Sequence, residues 1–161
     1  MKLKYFLCLT CTILLFSCEE GKKKEENEEL GSLMIGEWRS VSMKLNMNTF
    51  RNSDSLKVFE VNEENWENKM NIKPIRTIFR KDGTYNAEHW NLSDSLIYSP
   101  AGRWKIYGDT ILMTDTFPSI GQAFRYKIVF KDSLVEFYGK EDLDRDGFND
   151  DDYFGVQKRQ N

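Results

Sequence analysis

Histidine, cysteine, net positive charge and long apolar runs are scarce or absent in this 161-residue chain, and each lack excludes something. With His89 as the one histidine, a multi-histidine metal centre is excluded. A Ser-His-Asp set would have to use that residue, and no nucleophile motif surrounds any serine. The three cysteines, Cys8, Cys11 and Cys18, all fall at the N-terminus, so no intramolecular disulfide staples the remaining 143 residues. The longest apolar stretch, Tyr5 to Phe16, would rise about 18 Å as a helix, short of the ~30 Å hydrocarbon core of a bilayer. A formal net charge of −3 argues against nucleic acid as a partner. These absences leave a non-catalytic protein as the expectation.

Lys2 and Lys4 followed by that apolar stretch and Ser17 have the layout of a secretory signal. The stretch Leu14-Leu15-Phe16-Ser17-Cys18 resembles the lipobox of bacterial lipoproteins. The resemblance implies that residues 1–17 are removed and that Cys18 carries a diacylglyceryl group and an N-linked acyl chain such as palmitate. Two or more acyl chains are enough for stable membrane anchoring. Loss of Cys8 and Cys11 with the signal would leave Cys18 as the single thiol, which suits an attachment point. A simple secretory signal cut near a cysteine is the other reading of the same residues. Residues 18–31 are mixed-charge and almost without apolar side chains, so a disordered tether is expected there. The acidic pair Glu19-Glu20 resembles signals that send some bacterial lipoproteins to the cell surface. The implied location is the bacterial cell envelope, anchored by lipid and facing either the periplasm or the outside.

Residues 32–161 read as one domain. Leu30, Leu33 and Met34 have helical spacing and lead into a strand from Trp38 to Leu45, where Val41, Met43 and Leu45 alternate with polar residues. Leu56 to Val61 is a second strand, and Asn62 caps an expected short helix over Glu63 to Met70. Ile75, Thr77 and Phe79 alternate with Arg76, Ile78 and Arg80, and Asp82-Gly83 turns that strand into Thr84 to Asn91. Leu96 to Tyr98 follows, then a hairpin of Arg103 to Tyr107 and Thr110 to Asp115 about Gly108-Asp109. Phe124, Tyr126, Ile128 and Phe130 share a face, Lys131-Asp132-Ser133 turns into Leu134 to Tyr138, and Tyr153 to Lys158 closes the chain. Eight to ten short strands with little helix predict an all-β antiparallel sandwich or barrel. The short connections favour up-and-down order, which closes most easily as a barrel.

Gly36-Glu37-Trp38 after a helical turn, Phe79-Arg80-Lys81-Asp82-Gly83-Thr84-Tyr85, and Gly102-Arg103-Trp104-Lys105-Ile106-Tyr107-Gly108-Asp109-Thr110-Ile111 are similar to bacterial lipocalin-like lipoproteins. The resemblance implies a barrel in which Trp38 and Trp104 plug the core, with Arg159 packed over the first Trp; Lys158 and Arg103 are alternatives. It also implies a small hydrophobic ligand or envelope component inside. Phe79, Tyr85, Trp90, Trp104, Phe124, Tyr126, Phe130 and Phe137 would suit either a ligand cavity or a solid core. A solid core leads to the alternative reading, an interaction module that presents a loop to an envelope protein or glycan.

Charge is concentrated in one place. From Cys18 onward the net is −5, and Glu141 to Asp152 alone, with seven acids and Arg145, contributes −6. Within it Asp142-Leu143-Asp144-Arg145-Asp146-Gly147-Phe148-Asn149-Asp150 fits the first nine positions of a calcium-binding loop. Asp142, Asp144, Asp146 and Asp150 would supply carboxylates, Phe148 its carbonyl, and Gly147 the sharp turn. The twelfth position is Tyr153 rather than Glu, and strands flank the loop; Asp151 or Asp152 would supply a further carboxylate. A weak, structural Ca²⁺ is the expectation.

Overall fold

The computed structural model describes residues 21, 25, 27–48, 50, 53 and 55–160. The expected signal, residues 1–17, and Cys18 lie outside the described residues. Ten strands follow in order: β1 (Gly36–Met47), β2 (Lys57–Asn62), β3 (Arg76–Phe79), β4 (Thr84–Trp90), β5 (Leu96–Tyr98), β6 (Ala101–Tyr107), β7 (Thr110–Phe117), β8 (Ala123–Lys131), β9 (Leu134–Glu141) and β10 (Asp151–Arg159). Helix α1 covers residues 27–34 and α2 covers Trp66–Met70.

Eight of the strands close on themselves in the order β1-β3-β4-β6-β7-β8-β9-β10, with β10 returning to β1. Every neighbouring pair is antiparallel, and the order follows the chain. The fold is therefore an all-β, up-and-down barrel, compatible with a lipocalin-like architecture. Two strands stand outside the ring. β3 is short and pairs only with Gly36 to Arg39, which leaves the edge of the other half of β1 for β2, from Ser42↔Asn62 to Met47↔Lys57. β5 adds to the end of β4.

Alternation decides what faces inward. Thr77 and Phe79, Tyr85, Ile106, Ile111, Ile128, Val135 and Phe137 are buried, while Arg103, Lys105, Arg125, Lys127 and Lys131 on the intervening positions are exposed. Turns fall where backbone freedom is greatest: Gly83 (φ 78°) and Gly108 (φ 57°) adopt the left-handed conformation that a tight connection needs.

One end of the barrel is closed by α1. Met34 is fully buried, and Leu30 packs on the same core. Asn27 Oδ1 accepts from Gly108 N at 2.6 Å, tying the helix to the β6–β7 turn. Residues 27–31, counted above with the tether, belong to this helix because Leu30 and Met34 have a barrel base to bury against. The second helix also differs from expectation. Asn62 Oδ1 accepts from Glu64 N and Asn65 N (3.1 and 3.2 Å), which makes a turn of Glu63 to Asn65 and delays the helix to Trp66. Trp66 and Val61 are buried in this outer layer. No helix among the described residues is long and apolar enough to cross a membrane.

Candidate functional site

The closed end is organised by Trp38, only 1% exposed, whose Nε1 donates to Met34 O at 2.8 Å. The Arg159 guanidinium lies 4.5 Å above its ring and donates from Nη1 to Ile35 O (2.9 Å) and from Nη2 to Leu33 O. This contact needs Gly36: its φ of 141° is one that side chains rarely adopt, and a Cβ there would sit 2.7 Å from Arg159 Nη1. Trp104 is separate from this group. It meets Phe79 edge-on at 5.6 Å, and its Nε1 donates to Thr84 O at 3.1 Å.

Toward the opposite end the interior is hollow. A cavity of about 510 Å³ runs from Phe79 and Phe137 outward, bounded by β3, β4, β7, β8, β9 and β10 and by Tyr98 and Ser119 at its rim. Its walls mix aromatic rings with polar side chains, among them Thr77, His89, Asp115, Ser119, Gln122 and Gln157. Of the aromatic residues counted for the interior, Trp90 is outside: alternation turns His89 into the cavity and Trp90 into an outer cleft beside Arg76. The arginine at its centre is already paired. Arg76 makes a bidentate pair with Glu37 (2.5 Å) and reaches Glu88 at 3.1 Å, and the Arg76 hydrogen bond holds the Glu37 carboxyl below its ordinary range.

Two rows of residues across the strands shape the cavity. Tyr85, Gly102 and Asp115 are register partners on β4, β6 and β7. Neighbouring strands are about 4.8 Å apart, so Tyr85 and Asp115 are separated by roughly 9.6 Å of sheet. A tyrosine and an aspartate bridge that gap only because Gly102 places no side chain between them, and the Tyr85 hydroxyl donates to Asp115 Oδ1. Tyr126, Gly139 and Tyr153 form the second row, on β8, β9 and β10. The two tyrosine rings meet at 5.0 Å across Gly139, where a Cβ would lie 2.6 Å from Tyr126 Cδ1. The Tyr126 hydroxyl donates to Glu141, the next inward residue of β9.

Burial governs the ionisable groups here. It raises the Tyr85 hydroxyl far above its ordinary range, and the hydrogen bond to Asp115 adds to this. The same cause lifts Tyr126 and pushes Tyr153 up to about 12, with the nearby Glu141 charge adding to each. Glu141 is itself raised by burial, against the opposing hydrogen bond from Tyr126. His89, 5.2 Å from Tyr98, is lowered by burial.

The acidic segment joins β9 to β10 at this open end, and Arg145 (φ 63°) borders the cavity. Carboxylate oxygens of Asp142, Asp144 and Asp151 lie within 4.8 Å of one another. Asp151 is completely buried; it accepts from Asn48 N (2.9 Å) and Leu143 N (2.8 Å), fastening the loop to the end of β1. Asp142 accepts from Asp146 N (2.9 Å) and Gly147 N (3.1 Å). Asp146 Oδ1 accepts from Phe148 N at 2.9 Å, while its Oδ2 is enclosed with no hydrogen-bond partner. Asp150 offers its carbonyl to Asn48 Nδ2 (2.8 Å), and the Phe148 side chain is exposed. The group drawn together thus takes Asp142 and Asp144 from the loop pattern and Asp151, one of the two further carboxylates the sequence offered, from β10. Asp115, Gln157 and Arg145 were not singled out from the sequence. Strand parity after Ile111 and Met113 was the available signal for Asp115.

No protein-family model matches the chain, and none of the curated proteins compared with it matches.

Proposed function

We propose that this protein is a lipid-anchored, lipocalin-like binding protein of the bacterial cell envelope that holds a small, largely apolar molecule inside its barrel. The observation that carries the reading is the cavity of about 510 Å³. It falls within the roughly 300–1,000 Å³ of small-molecule sites and is walled by aromatic rings with polar side chains between them. A solid core, the premise of an interaction module, would have filled this space with side chains. The lipobox-like run ending at Cys18 supports anchoring.

Native mass spectrometry of material extracted from its own membrane tests both parts. The reading expects a chain beginning at acylated Cys18 and a second mass, released on denaturation, for a bound small molecule. An unmodified N-terminus would overturn the anchor, and a barrel that neither retains nor takes up any small apolar molecule would overturn the binding function.

A second reading concerns the acidic loop, favoured by the proximity of Asp142, Asp144 and Asp151 and by the enclosed Asp146 Oδ2. Carboxylates so close repel unless a cation joins them, and these hard oxygen donors suit Ca²⁺. The ion's role would be structural: it would hold the loop at the cavity mouth while Asp151 fixes it to β1. Calorimetric titration with Ca²⁺ tests this, with Asp142→Asn plus Asp144→Asn as the control. Absence of heat in the unaltered chain would remove the metal from the account.

A further inference from the structure

The cavity wall carries an acidic group that no described residue neutralises. Asp115 is 5% exposed and borders the cavity. Tyr85 donates to its Oδ1, but Oδ2 receives no hydrogen bond from any described residue. No described lysine, arginine or histidine forms an ion pair with it. Of the basic residues that border the cavity, burial lowers the His89 imidazole, and Arg145 is exposed and makes no ion pair with Asp115. A carboxylate oxygen left free on this wall is a ready acceptor for a cationic donor, which makes the stronger, charge-assisted hydrogen bond.

Two further features have the same sign. The Tyr126, Phe124 and Phe137 rings wall the same space, and aromatic faces attract cations. At the mouth lies the segment of net −6, which raises the local concentration of positive solutes.

We propose that the ligand is an organic cation: a protonated amine on an apolar body, with its ammonium donating to Asp115 and its body against the aromatic walls. This rests on the cavity being the ligand site. It goes beyond that reading by fixing the charge of the ligand and the residue that selects it.

Calorimetric titration of the full chain with 4-phenylbutylamine, 4-phenylbutan-1-ol and 4-phenylbutanoate at pH 7 isolates the head group on a constant body. The amine should bind at least about tenfold more tightly than the alcohol, and the carboxylate most weakly. Asp115→Asn keeps the side-chain shape and should cost the amine about 30-fold or more while changing the alcohol little. Equal binding of the three, or preference for the carboxylate, would overturn the cationic ligand and leave the cavity reading standing. Preference for the amine that survives Asp115→Asn in a folded variant would remove Asp115 as its partner and so overturn the proposal. Binding of none of the three would count against the cavity reading itself. Should Asp115→Asn fail to fold, the head-group series on the unaltered chain still decides.

Discussion

Replacement of Gly102 by alanine should damage this protein more than its size suggests. The added Cβ would stand 2.1 Å from Thr114 O, 2.8 Å from Thr114 C and 2.9 Å from Asp115 Cα. These are backbone atoms of β7, an internal strand of a closed ring, so no rotamer change relieves the contact and the two strands must part. Overpacking of this kind costs about 1–3 kcal/mol, and a backbone obstacle belongs at the upper end. For about 125 residues of folded chain, each kcal/mol corresponds to roughly 3–5 °C, so a fall of about 10 °C is expected. Gly108→Ala is the informative comparison. It has nothing within 4 Å but a φ of 57°, so only conformational strain of about 1–2 kcal/mol applies. Gly31→Ala, in α1 with nothing within 4 Å, should raise stability by up to about 1 kcal/mol through helix propensity. Thermal unfolding followed by circular dichroism measures all three. A Gly102→Ala chain melting within a degree or two of the unaltered one, or above Gly108→Ala, would refute the close-approach argument.

Other consequences are as direct. Trp38→Ala should cost about 3–5 kcal/mol, the range for a fully buried large aromatic, read from urea midpoints. Arg159→Lys, which keeps the charge but loses the forked donation to Ile35 O and Leu33 O, should cost about 2 kcal/mol in the same assay. His89, as the only histidine, gives a single imidazole resonance, and its NMR titration midpoint should fall below 6.5. Because the folded value is depressed, the folded chain binds fewer protons than the unfolded one between that value and 6.5. The resulting stability is full above pH 6.5 and is lost as pH falls through the folded value; His89→Gln should flatten that part of the profile. Ca²⁺ at ten times its dissociation constant should stabilise the chain by about 1.4 kcal/mol, and the Asp142→Asn plus Asp144→Asn chain should not respond.

Much of the barrel was legible because strand parity and turn chemistry are local. Asp82-Gly83 and Gly108-Asp109 announced their hairpins, and the alternation through Phe124, Tyr126, Ile128 and Phe130 gave the inward face of β8. Helix α1 was harder, since only Leu30 and Met34 of a charged stretch meet the barrel, and their partners come from distant strands. Trp90 was counted inside on residue type, although its parity with Tyr85 and His89 sets it outside. The polar features of the cavity were the least legible. Tyr85 reaches Asp115 through a gap at Gly102, a relation among β4, β6 and β7 that no local pattern records. For the acidic loop the sequence offered Asp151 or Asp152 as a further carboxylate, and the pairing of β10 with β9 brings Asp151 to Asp142 and Asp144.

The central claim is that the barrel interior is where a small molecule sits. Methyl NMR of the full chain with ¹³C-labelled methionine and alanine, titrated with 4-phenylbutylamine, addresses it most directly. Met113 and Ala87 border the cavity, whereas Met70 lies on α2 and Ala101 does not border it. The account predicts saturable shifts at Met113 and Ala87 with Met70 unmoved. Shifts at Met70 with Met113 and Ala87 unchanged, or no shifts at all, would contradict it.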